Sequence, residues 1–182
     1  SGVGEPSLAS NLGDAIKIVK ETLKLPVAVL TNSSLMSRED VRRELALADI
    51  VVAKVDAPNN DIFQSINRPV MSQTLHQISK ALQLFREEYS GKLAIQMMFV
   101  DANKDFAADM AEIAKRLSPD EVQINTPLRR CAVSPLETKD VSTIRQAFVG
   151  IRNVRTVYEA SRPECAPLNR KETSRRRPEE EG

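Results

Sequence analysis

The residues that usually build redox, metal and stacking sites are scarce. The chain has two cysteines, one histidine and no tryptophan, and aromatics make up 4% of it. Cys131 and Cys165 form no Cys-x2-Cys pair. This argues against a cysteine-built zinc site or a disulfide framework and fits a reducing cytoplasm. So few aromatics make a base-stacking surface hard to assemble. Charge of one sign is lacking as well, with 26 Lys and Arg against 25 Asp and Glu and a net charge of +1. No global field therefore draws nucleic acid, an anionic membrane or an acidic substrate. Apolar runs reach only four residues, far short of the ~20 that cross a bilayer.

What is present describes one folded domain. The 182 residues are 41% apolar and 28% charged, enough to bury a core and ordinary for a globular protein. Short β-branched runs alternate with longer helical patterns. Leu8, Leu12, Ala15, Ile16, Val19 and Leu23 recur at three- and four-residue spacing and predict a first helix over about 7–24. Strands are expected at 27–30, 50–55, 93–100, 122–125 and 154–158. The run Val27-Ala28-Val29-Leu30 does not alternate, as expected of a parallel strand covered on both faces. Further helices are expected over 37–47, with Ser37 as N-cap, and over 60–66, 72–89, 104–117 and 137–148. Gly91 fits the stop of the long helix. Residues 1–160 form the domain, and 161–182 form a charged tail, with an Arg-rich run, that cannot bury a core.

Strand and helix in repetition predict an α/β fold with parallel strands, either an open doubly wound sheet or a barrel of βα units. In both, chemistry gathers at the C-terminal strand ends. There the sequence carries Gly4-Glu5-Pro6, Thr31-Asn32, Lys54-Val55-Asp56, Asp101-Ala102-Asn103 and Asn125-Thr126. Polar groups from five separate ends suit a small-molecule site. Gly2 and Gly4 permit a tight turn near a ligand, and Glu5 offers a carboxylate to an ammonium group. Ser7 or Ser10 is placed to cap the helix that follows. Taken singly, Asn32 and Asn125 are equally loop caps. Asp56 equally pairs with Lys54 or caps the helix after Pro58, and Arg68 equally is a solvated turn residue. His76 is expected at the surface, Met97 and Met98 in the core, and Cys131 as an incidental thiol.

The order of these pieces resembles the radical S-adenosylmethionine (radical SAM) superfamily. Gly4-Glu5-Pro6-Ser7-Leu8 is similar to its Gly-Glu-Pro-Thr-Leu motif. Val27 to Asn32 is similar to a strand ending in Thr-Asn, and Val52 to Ala57 to a strand often written Ser-Leu-Asp-Ala. Ile66-Asn67-Arg68-Pro69 resembles the Asn-Arg-Pro turn that follows it. Val122 to Pro127 resembles a strand of the branch near the wyosine-type tRNA-modifying members. The match covers about residues 1–160.

That resemblance implies an incomplete (βα)6 partial TIM-type barrel, which a reduced 4Fe–4S cluster equips to cleave SAM and generate a 5′-deoxyadenosyl radical. It implies that Gly4, Glu5 and Pro6 hold the methionine ammonium and that Thr31 and Asn32 line the floor. Lys54 or Asp56 would face the methionyl carboxylate or the ribose, and Asn125 and Thr126 would lie near the adenine or the substrate. Arg68 would meet an anion. Two departures stand out: Lys54 replaces the common serine, and Ser33 replaces the common glycine. The family's Cys-x3-Cys-x2-Cys cluster loop is not in the sequence. The cluster's ligands, the first strand and most of the second are expected upstream of residue 1. The chain is thus expected to be a fragment, inactive alone, served in the whole enzyme by a flavodoxin or ferredoxin reductase. An RNA substrate is a weaker expectation, carried by the Arg-rich tail. The alternative is a degenerate βα-barrel module that binds a small molecule without redox chemistry.

Overall fold

The computed structural model describes residues 4–70, 73–129 and 131–160. The charged tail, Cys165 and the first glycine of the turn, Gly2, lie outside the described residues. Strands β1 (Ala28–Thr31), β2 (Ile50–Lys54), β3 (Lys92–Met98), β4 (Glu121–Asn125) and β5 (Val154–Thr156) alternate with six helices. These are α1 (Leu12–Leu23), α2 (Glu39–Leu45), α3 (Asn60–Asn67), α4 (Leu75–Glu88), α5 (Ala107–Leu117) and α6 (Thr138–Gln146). Among the described residues, all five strands are parallel and lie in chain order, β1-β2-β3-β4-β5. This order decides between the two architectures. A doubly wound sheet reverses its order to place helices on both faces. Sequential order with crossovers of one hand leaves every helix on one side, as in a barrel.

The strands show that one-sidedness. Val29, Val51, Ala53, Leu93, Ile95, Met97, Val122 and Ile124 face the helices and belong to the core. They pack with Leu45, Leu82, Phe85, Met110, Leu117 and Phe148 from the helical layer and its connections. Burying each such side chain contributes roughly 1.5–3 kcal/mol. Exposed and buried positions alternate along β1, so the face away from the helices, Ala28 and Leu30, is open. Leu30 is 44% exposed there. The expectation that helices cover both faces of this strand is therefore wrong. The unalternating run reflects an inner barrel face that is apolar along β1 but carries no helix among the described residues.

Three local expectations are also corrected. The first helix is broken. Pro6–Leu8 form a short 3-10 turn capped by Glu5, and α1 starts after Asn11, so neither Ser7 nor Ser10 caps it. Its stripe is only half covered. Leu12 and Ile16 are buried, while Leu8, Val19 and Leu23 are exposed. Arg38, rather than Ser37, occupies the N-cap of α2. The long helix ends at Tyr89 with extended backbone, and Gly91 is not left-handed. A Cβ on Gly91 would sit 2.3 Å from the Tyr89 hydroxyl, so its glycine is required by a packed ring rather than by a helix stop. The 72–89 helix itself begins at Leu75 behind a Thr74–Gln77 capping box.

Candidate functional site

The N-terminal turn is tied to the end of β1. Gly4 has φ 137°, a conformation that suits glycine. Glu5 Oε1 accepts from the Ser7 amide at 3.2 Å, the Ser7 hydroxyl at 2.6 Å and the Thr31 hydroxyl at 2.6 Å. Its Oε2 accepts from the Asn32 amide at 2.7 Å. Oε1 is thereby saturated, whereas Oε2 keeps acceptor capacity. Asn32 Oδ1 accepts from the Ser34 amide at 2.9 Å, so its loop-capping role is real, and the residue also lines the groove described below.

Ser33 explains how a non-glycine residue tolerates this turn. Its φ is 67° and it is fully buried, a placement that costs about 1–2 kcal/mol. The Ser33 amide donates to Thr31 Oγ1 at 3.1 Å, and its hydroxyl donates to the Lys54 carbonyl at 3.0 Å. These bonds offset the strain and join the ends of β1 and β2.

Lys54 and Asp56 part company after β2. Lys54 points to the open face with its side chain 34% exposed, and its Nζ lies 3.2 Å from Asp56 Oδ2. Asp56 is 3% exposed. It accepts from the Met98 amide at 2.9 Å and from Asn67 Nδ2 at 2.9 Å. Asp56 is a buried latch between β2, β3 and α3, while Asn59 caps α3 through the Ile62 amide at 3.0 Å. Asn103, fully buried, completes the latch by donating to the Asp56 carbonyl at 2.8 Å.

A groove of about 400 Å³ opens at these strand ends, lined by Gly4, Glu5, Leu30, Thr31, Asn32, Val52, Lys54 and Gln96. It gathers five of the residues singled out in the sequence. A second cavity of about 430 Å³ shares Glu5 and Asn32 as wall and includes Arg68. Arg68 stands in a left-handed conformation, φ 45°, at the end of α3. Pro6, Asn125 and Thr126 do not line the groove. Thr126 is buried and accepts from the Leu136 amide at 2.8 Å, which anchors the loop before α6. The Asn125 carbonyl accepts from the Phe99 amide at 2.7 Å.

Gln96 was missed in the sequence, although a signal existed. It is the polar position in Leu93-Ala94-Ile95-Gln96-Met97-Met98, and period-two alternation places it on the open face with Ala94 and Met98. Register puts Lys54 beside Gln96, Gln96 beside Gln123 and Gln123 beside Arg155. Behind this row, burial raises the Glu121 carboxyl, but hydrogen bonds from Lys92 and Gln123 outweigh it and hold the group below its ordinary value.

Among the described residues, no group of three or more His, Cys, Asp or Glu side chains is placed to hold a metal ion. The sequence as a whole contains two cysteines. An iron–sulfur cluster ligated by three thiolates does not fit the residues of this chain. The groove lining does include both a carboxylate, Glu5, and an ammonium, Lys54.

No family model matches the chain. The UPF0026 protein of Synechocystis sp. is 38% identical over 130 residues, which cover 71% of this chain and 49% of that protein. The chain spans about half the length of the curated relatives it matches. Among solved structures, TYW1 with a lysine-pyruvate adduct bound superposes with TM-score 0.69 at 18% identity, over 81% of this chain and 48% of that one. A domain of pyruvate-formate lyase-activating enzyme from Bacteroides vulgatus gives TM-score 0.64 at 15% identity, over 85% of this chain and 95% of that one. A radical SAM methyltransferase from Sphaerobacter thermophilus gives TM-score 0.66 at 16% identity, over 85% of this chain and 49% of that one, so the parallel, sequentially ordered sheet with its one-sided helical layer is the fold shared with these proteins.

Proposed function

We propose that the chain is the SAM-holding part of a radical SAM enzyme. The observation that carries this reading is the convergence of Gly4-Glu5, Thr31-Asn32 and Lys54 on one groove at the strand ends. The methionyl end of SAM pairs an ammonium with a carboxylate. Glu5 Oε2 and the neighbouring backbone carbonyls would take the ammonium, and Lys54 would take the carboxylate. Thr31 and Ser33 keep the Glu5 wall in position, and Asp56 keeps Lys54 at the rim. Arg68, in the adjoining cavity, would meet an anionic group of the substrate.

Bound SAM would supply the reductive cleavage chemistry of that superfamily. The cluster does not fit here, so its thiolates must come from protein beyond this chain, and the electron from a flavodoxin- or ferredoxin-type donor. In a second reading the same groove, with Glu5 and Lys54 in its lining, binds a small metabolite without redox chemistry.

The test is a titration of the ¹⁵N-labelled chain with SAM, followed by NMR. The reading expects saturable shifts at Gly4, Thr31 and Asn32, reduced by Lys54→Met. An unchanged spectrum at millimolar SAM would sink it. Saturable shifts with another zwitterion and none with SAM would favour the second reading.

A further inference from the structure

We infer that Gln96 meets the ligand as a fixed hydrogen-bond acceptor, and that Glu121 imposes this polarity through Gln123. The two ends of a glutamine amide have nearly the same shape, so its partners decide which end points where. Glu121 is the anchor. An ionised carboxylate can only accept. Its Oε2 accepts from Lys92 Nζ at 2.7 Å, and its Oε1 accepts from Gln123 Nε2 at 2.9 Å. Gln123 must therefore turn its Oε1 the other way, where it accepts from Gln96 Nε2 at 3.1 Å. Gln96 is then left with Oε1 unengaged by any donor among the described residues, on the groove wall beside Lys54.

Reversing either amide would set two acceptors or two donors face to face, so the row has one stable direction. Glu121 is 8% exposed and locked by Lys92, and Arg155 on the next strand adds its positive charge. Glu121 and Gln123 are positioning residues, and Gln96 is the one that touches the ligand. The groove accordingly offers a cation at Lys54 and an acceptor from Gln96 on the neighbouring strand. It selects a ligand with an anionic group on Lys54 and a hydroxyl or amine on Gln96. A bare carboxylate or phosphate finds no donor at Gln96 Oε1. This rests on the SAM reading for its ligand, since SAM carries both kinds of group, but the direction of the row does not depend on it.

Two measurements on the full chain decide the matter. The first needs no ligand. The side-chain amide resonances of Gln96 and Gln123 are assigned with Gln96→Leu and Gln123→Leu. Glu121→Gln is then expected to move the Gln96 amide, which Glu121 does not touch, because the anchor no longer imposes a direction. Gln96 resonances that stay in place overturn the relay. Should Glu121→Gln fail to fold, Gln123→Leu breaks the relay while leaving the Lys92–Glu121 pair intact, and a Gln96 amide still protected from exchange is the overturning result.

The second is the SAM titration. Gln96→Leu is expected to weaken binding about tenfold, the loss of one hydrogen bond. Glu121→Gln alone is expected to weaken it about twofold, and to add nothing in the Gln96→Leu background. Additive losses would assign Glu121 a general structural role and refute the relay. Shifts at Gly4 and Asn32 with an unmoved Gln96 refute the inference while leaving the SAM site standing. A spectrum that SAM leaves unchanged throughout fails the SAM reading, and with it the ligand assigned to Gln96. The ligand-free arm still decides the direction of the row.

Discussion

The Glu5 carboxylate and the Thr31 hydroxyl meet at 2.6 Å across 26 residues of sequence. This bond joins the N-terminal turn to the first strand and sets one wall of the groove. Glu5→Gln replaces one carboxylate oxygen by a donor. Either the Asn32 amide or the Ser7–Thr31 cluster must then lose its acceptor. Faster hydrogen exchange at Asn32 and at least tenfold weaker SAM binding are the expected outcome. Unchanged exchange at Asn32 would show that the turn is held by something else.

Asp56 carries more structural weight. Its carboxylate satisfies the buried Met98 amide and Asn67 and lies beside Lys54. Asp56→Ala leaves those groups unpaired and should cost about 2–4 kcal/mol in urea denaturation. A loss below about 1 kcal/mol would contradict the latch, since even one net hydrogen bond contributes that much.

Gly91→Ala is expected to destabilise the chain because the added methyl would overlap the Tyr89 ring. Tyr89 cannot retreat. It stacks on Phe85 with centroids 4.7 Å apart and donates its hydroxyl to the Ala48 carbonyl at 2.9 Å. Burial, aided by the Asp49 charge, pushes its phenol up to about 12. Overpacking of this kind costs about 1–3 kcal/mol. Tyr89→Phe should recover little of that cost, because Phe also fills the Gly91 contact; substantial recovery would place the overlap in the hydroxyl alone.

Acid should unfold the protein through carboxylates whose folded values are depressed. For both Asp120 and Glu121 burial acts upward, but bonds from the Leu93 amide and Arg86 to Asp120, and from Lys92 and Gln123 to Glu121, prevail. Their stabilisation is complete above the ordinary values of 3.8 and 4.5 and is lost as pH falls through the lower folded values. Tm should be level above about pH 5 and decline below it, with a shallower decline in Glu121→Gln. An equal slope in that variant would remove Glu121 from the account.

The chain alone, supplied with iron, sulfide, dithionite and SAM, should form no 5′-deoxyadenosine, because it lacks three thiolates to hold a cluster. Chromatographic detection of that product above a protein-free control would refute this.

Much of the architecture could be read without coordinates. Alternating apolar runs and helical stripes located every strand to within a few residues, because burial against helices demands β-branched runs of that length. The Gly4-Glu5, Thr31-Asn32 and Lys54 positions, which the structure gathers on one groove, were legible because they directly follow or flank apolar strands. What sequence could not reveal were facts of register and shared space. The periodicity alone left barrel and doubly wound sheet open, because strand order depends on which strands pair, and the partial barrel came from the family resemblance. The burial of Asp56 against Met98 and the Gln123–Gln96 step of the row join residues distant in the chain or aligned only by register, and the crowding of Gly91 by Tyr89 depends on how the ring is packed. Local propensity carries no information about such pairs, and only packing the helices on one face of the sheet brings them together.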